Sequence, residues 1–130
     1  MKTRNSDEGI VTAFVVAIAL TLIVSTGLAL DSGRLVAARV EIADHAENAA
    51  RLAAQEVVGI RLGNPVIDPV RGRRAASAYL ANHGLDGTIT IGSRSVTVEV
   101  RTTQDMLILQ LAGVASKTVS VSRSAEITDA

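Results

Sequence analysis

The stretch Ile10–Leu30 (IVTAFVVAIALTLIVSTGLAL) contains neither a charge nor a proline. As a helix rising roughly 1.5 Å per residue, its roughly 21 residues reach about 31 Å, the thickness of a bilayer's hydrocarbon core. It reads as a transmembrane segment, residues 10–30, behind a polar leader, residues 1–9, that carries Lys2, Arg4, Asp7 and Glu8. A secretory signal peptide has a shorter apolar core and a small-x-small cleavage site. Here the run flows into helix-forming sequence, so an uncleaved signal-anchor is expected, with cleavage after a residue such as Ala29 as the alternative. Lys2, Arg4 and the terminal amine nearly balance Arg34 and Arg39 under the positive-inside rule. The shortness of the leader and the polar character of the domain beyond the anchor place the N-terminus in the cytoplasm and the C-terminal domain outside it.

Inside the run, Thr12, Thr21, Ser25 and Thr26 can return their hydroxyls to the carbonyl one turn back, which makes them tolerable in lipid. Ala13, Ala17 and Gly27 permit close helix approach without forming a clean small-xxx-small motif. Both a lipid-facing helix and a packing face remain open.

Residues 31–60 are expected to continue as an amphipathic helix. Val36, Val40, Ala43, Ala46, Ala50, Ala53 and Val57 recur at three- and four-residue steps, opposite Glu41, Asp44, His45, Asn48, Arg51, Gln55 and Glu56. A stripe so rich in alanine suits close docking against a sheet or helix, and lacks the Leu/Ile heptads of a self-sufficient coiled coil. His45 with Glu41 and Asp44 has no second His or Cys at ligand spacing, so surface roles are expected for all three. Asp31 stands where the apolar run ends, with Arg34 three residues on, so the two can pair on one helix face. Asp31 either marks the membrane exit or meets a basic group on a neighbouring helix.

Residues 61–130 are expected to form a small helix-plus-sheet domain. Asn64–Pro69 is a loop, because each residue before a proline is pushed out of the helical region. Asp68 reads as an N-cap with Pro69 at the first helical position, and Gly84 ends a short helix running to Asn82 whose inner face is Ala75, Ala76, Tyr79 and Leu80. From Gly87 the period becomes two: Ile89 and Ile91, then Val96, Val98 and Val100, then Val119 and Val121 alternate with polar residues, as half-buried strands do. Gly92-Ser93-Arg94 joins the first two as a hairpin. Met106–Leu111 (MLILQL) fits either a buried strand or a short helix. The expected fold is α+β: a long N-terminal helix, a short second helix and a small antiparallel sheet of three or four strands, with the alanine stripe covering one sheet face.

Composition removes several functions. Thirteen basic and thirteen acidic side chains cancel, so no net field steers a polyanion. The locally basic stretch of Arg61, Arg71, Arg73 and Arg74 reads as a solvated helix face. Phe14 and Tyr79 are the only aromatic residues apart from the two histidines, which argues against a base-stacking surface and an aromatic-lined pocket. With no cysteine there are no disulfides, thiolate metal sites or cysteine nucleophiles. No nucleophile elbow, His-Glu-x-x-His, P-loop or dinucleotide fingerprint is present. The chain is therefore expected to be non-enzymatic, without catalytic residues, cofactor or metal. Its expected partners are the lipid bilayer and other protein subunits, with no nucleic acid and no small-molecule substrate.

The polar positions of Gly9–Ala54 carry a resemblance. An apolar run followed by Asp31-Ser-Gly33-Arg34, then Arg39, then Ala43-Asp44 and an alanine-rich helix resembles the TadE/TadG-like family, whose members assist assembly of tight-adherence (Flp) pili. The likeness covers about a third of the chain and fixes Asp31, Gly33, Arg34, Arg39 and Asp44 as its assembly motif. It implies a pilin-like architecture and contacts with other pilus or secretion subunits through helix packing. Pilin-type leaders are cut after a glycine, here Gly9, and usually carry Glu at the fifth residue beyond it, where this chain has Phe14. A chain of this length is expected to be a minor or accessory component rather than the major fibre subunit. An envelope scaffold or binding module unrelated to pili is the alternative.

Overall fold

The computed structural model describes residues 4–128, and side chains from residue 9 onward. The first three residues of the leader, with Lys2, lie outside the described residues, as do the side chains of Arg4, Asp7 and Glu8. The fold is α+β, as the sequence pattern leads one to expect. In chain order the elements are α1 (Arg4–Ala54), β1 (Val57–Val58), β2 (Val66–Ile67), α2 (Pro69–Asn82), β3 (Asp86–Ile91), β4 (Ser95–Asp105) and β5 (Ser116–Glu126). Single 3₁₀ turns occupy Ile60–Leu62 and Leu109–Ala112. β1 and β2 form a two-stranded antiparallel ladder, and β3-β4-β5 form a three-stranded sheet in that order. The chain divides into two compact units. One comprises the described residues up to Arg34 together with Asp105–Lys117, the other Leu35–Gln104 together with the residues from Thr118 onward.

The first unit contains the apolar part of α1. Phe14, Ile18, Leu20, Leu22, Ile23 and Val24 are all exposed, so apolar side chains face outward on every side of the helix. Such a helix suits lipid, because protein covers it only at Gly27. Two of its hydroxyls are satisfied as expected: Thr21 Oγ1 donates to the Ala17 carbonyl at 2.8 Å, and Ser25 Oγ to the Thr21 carbonyl at 2.8 Å.

The second unit is a helix-and-sheet sandwich. Ile89, Val96, Val98 and Val100 with Val121 form the inner sheet face, and Ile89↔Val98 and Ile91↔Val96 are cross-strand pairs. Against them lie Ile42, Ala43, Ala46, Ala49, Ala50, Ala53 and Ala54 of α1, with Ala76 and Leu80 of α2. Ala43, Ala46, Ala50 and Ala53 of the expected stripe dock as read, but its first two members do not. Val36 and Val40 are exposed, while Ala38, Ile42 and Ala49 are buried. Three- and four-residue steps from Ile42 through Ala46, Ala49 and Ala53, with Ala43 and Ala50 beside them, trace the core face, and small alanines let the helix backbone come close to the valines.

Close approach recurs at two glycines. A Cβ on Gly72 would lie 3.1 Å from the Ala53 carbonyl oxygen, so α1 and α2 nearly touch there. A Cβ on Gly87 would lie 2.7 Å from the Glu99 carbonyl oxygen and 2.9 Å from Leu80 Cδ1, which seats α2 on the sheet.

α1 stops at Ala54, short of residue 60. The β-branched pair Val57-Val58 instead pairs with Val66-Ile67, and Gly59 turns the chain at φ 78°. α2 begins as its local sequence dictates, with Asp68 Oδ1 accepting from the Val70 and Arg71 amides at 2.9 and 3.0 Å. The amide of Arg71 first, and that of Val70 with it, holds the Asp68 carboxyl below its ordinary value of 3.8. Of the basic stretch, Arg71 pairs with Glu56 at 2.7 Å and Arg73 donates to the Ile89 carbonyl at 3.1 Å, so both serve the fold.

Candidate functional site at the membrane exit

The apolar run ends on a buried acid. Asp31 is 1% exposed, and it is the one buried charged side chain among the described residues. A carboxylate out of water is tolerable only when donors replace its hydration. Three consecutive backbone amides do so here. Leu107 N–H donates to Oδ1 at 3.0 Å, and Ile108 and Leu109 N–H donate to Oδ2 at 3.0 and 2.8 Å. Charge-assisted bonds of this kind are about twice as strong as neutral ones, and they converge on one side chain.

The donors belong to the β4–β5 connection, Met106–Ala115. Its two ends are tied by Met106 N–H to the Ala115 carbonyl at 2.9 Å. Between them the 3₁₀ turn Leu109–Ala112 closes on Gly113, whose φ of 90° suits glycine. Met106–Leu111 is thus not a strand, and its last three residues enter the short 3₁₀ helix. With three successive amides turned toward Asp31, the segment has no edge to offer a ladder.

One helical turn before Asp31, Gly27 receives the Ile108 side chain. A Cβ at Gly27 would lie 2.6 Å from Ile108 Cβ, and closer still to Cγ2. Only a glycine allows the loop to approach this near. Ile108 also lines an open groove of about 300 Å³ with Leu22, Ile23, Thr26, Gly27 and Leu30.

The other residues of the sequence motif are not gathered here. Gly33, Arg34, Arg39 and Asp44 are exposed, and so is Gly9. A Cβ on Gly33 or on Gly9 would meet nothing within 4 Å. The expected Asp31–Arg34 pairing gives way to the loop amides as the partners that satisfy the carboxylate. Sequence reasoning missed Gly27 and residues 107–109 as members of the site. The available signal was the absence of any charge between Asp105 and Lys117.

In the second unit, His45 packs against two other rings. Its ring lies 5.9 Å from that of Tyr79 and 4.7 Å from that of His83. His45 Nδ1 is 3.1 Å from the Tyr79 hydroxyl, which also accepts from Asn48 Nδ2 at 3.3 Å. His83 Nδ1 donates to the Tyr79 carbonyl at 2.8 Å. These contacts join α1 to α2 and give each of the three rings a structural role. Among the described residues no cluster of three or more His, Asp or Glu is placed to hold a metal ion.

An apolar helix exposed over nearly all of its length, together with a packed helix-and-sheet core, defines a membrane-associated α+β protein. No family model, curated protein or solved structure matches the chain.

Proposed function

We propose that this protein is a non-enzymatic, single-pass accessory subunit of a Flp/Tad-type pilus assembly or a related secretion apparatus. It acts as a minor pilin-like component, its N-terminus cytoplasmic and its sheet-bearing part extracytoplasmic, and it binds other subunits by lateral helix packing. The observation that carries the proposal is the polar signature Asp31-x-Gly33-Arg34, Arg39 and Asp44 directly beyond an exposed apolar helix. Gly33, Arg34, Arg39 and Asp44 are exposed and so accessible to a partner, while Asp31 serves the protein's own loop. The Ala13, Ala17 and Thr21 positions of α1 are exposed as well and present little bulk to a neighbouring helix.

Affinity purification from detergent-solubilised membranes of the native host tests this. Recovery of pilus or secretion-platform subunits supports the proposal. Recovery of the bait without any such component contradicts it.

A further inference from the structure

We propose that the β4–β5 connection is a second membrane contact, a monotopic tip whose exposed apolar side chains enter the interfacial layer of the same bilayer that α1 crosses. The inference rests on the membrane placement of α1 and goes beyond it. Ile108 packs on Gly27, inside the apolar run, and residues 107–109 bond to Asp31, the first residue past its end. Gly27 lies about 4.5 Å within that end by helical rise. The loop backbone therefore sits level with the boundary between hydrocarbon and headgroups. At that level Leu107, Leu111 and Val114 are 56%, 83% and 45% exposed.

Two further features suit lipid. No charge occurs from Met106 to Ser116, while Asp105 and Lys117 stand on either side, where headgroups and water would receive them. Irregular backbone is excluded from lipid when its polar groups go unpaired. Here the amides of Met106, Leu107, Ile108, Leu109, Leu111, Gly113 and Val114 are all bonded within the protein. The carboxylate that accepts three of them is itself buried, so the tip presents Leu107, Leu111 and Val114 over these bonded amides, with Gln110 as its one exposed polar side chain from Met106 to Ala115. Membrane-facing tips of this kind add area-dependent affinity and fix how a protein stands on the surface.

The chain has no cysteine, so single-cysteine labelling is clean. The full-length variants Leu111→Cys and Leu20→Cys, both at exposed side chains, are labelled with an environment-sensitive fluorophore. They are then reconstituted in phosphatidylethanolamine/phosphatidylglycerol vesicles carrying shallow or deep lipid-borne quenchers. The expected result is blue-shifted emission at both sites, with residue 111 quenched more by the shallow probe and residue 20 more by the deep one. Water-like emission at residue 111 with residue 20 quenched overturns the proposal and leaves the anchor standing. Apolar emission at residue 111 that lipid quenchers do not reach, and that fades on dilution into excess lipid, assigns the tip to a second copy of the chain and also overturns it. Loss of quenching at both sites refutes the anchor and the tip together.

Discussion

Replacing Gly27 with alanine adds one methyl group at the point where Ile108 meets α1. An ideal Cβ there lies 2.6 Å from Ile108 Cβ, and both atoms are held by nearby backbone, so neither can swing aside as a long side-chain end would. Overpacking of this kind costs about 1–3 kcal/mol, which the loop can escape only by lifting off the helix. The helix itself gains up to about 1 kcal/mol from losing a glycine, so α1 stays formed and the strain falls on docking. A docking loss of about 1–3 kcal/mol raises the open population of the loop by about 5- to 150-fold. Hydrogen–deuterium exchange in nanodiscs reads this at the amides of Leu107, Ile108 and Leu109, which are protected only while Asp31 holds them. Their exchange should accelerate by that factor, while the amides of Val98 and Leu80 keep their protection. Adding Ile108→Ala removes Cγ1 and Cγ2 but leaves Cβ, so the double variant should recover part of the protection. Unchanged exchange at residues 107–109 in the Gly27→Ala protein would show that the loop does not depend on a bare residue 27.

Asp31→Asn keeps the size of the side chain but turns an amide donor toward loop N–H groups, so exchange at residues 107–109 should rise even though nothing clashes. In the core, Ala46→Leu should destabilise by about 1–3 kcal/mol in denaturant titrations, whereas Val40→Ala, on an exposed position, should stay within about 0.5 kcal/mol. Equal effects at the two positions would contradict a docking face that includes Ala46 and leaves out Val40. The Asp68 carboxyl is held below 3.8 in the folded protein, so its contribution is present above that pH and is lost as pH falls through the folded value. The stability difference between wild type and Asp68→Ala, from thermal melts in detergent, should therefore be larger at neutral pH than in strong acid. Amino-terminal sequencing of protein recovered from membranes should return Met1 for a permanent anchor, and Ile10 if Gly9 is a processing site.

Features governed by neighbouring residues were legible in the sequence. Asp68-Pro69 starts α2 and Gly84 lies just past its end because capping involves only the adjacent turn. The alternation around Gly92-Ser93-Arg94 gives a hairpin with the expected inner valines because pairing across a short turn leaves one register that buries them. The phase of the helix stripe was harder to read. Alanine occurs on several faces between Ala37 and Ala54, so hydrophobicity alone drew the stripe toward Val36 and Val40, while close packing selected the smaller residues.

The membrane-exit site was half visible. Asp31 stood out at the end of the apolar run, but its donors lie 76 to 78 residues away and are backbone groups, which carry no residue signature. Gly27 read only as one small residue in a helix, because its role depends on Ile108 arriving from the distant loop. His45 likewise gained its partners from α2, through Tyr79 and His83.

We propose that this membrane-associated chain serves pilus assembly or a related secretion apparatus. The most direct test is surface fibre count by electron microscopy in a strain lacking the gene, with and without complementation by the full chain. The expected result is a loss of fibres that wild-type protein restores and that a form altered at the exposed Arg34 and Arg39 restores poorly. Normal piliation in the deletion strain would contradict it.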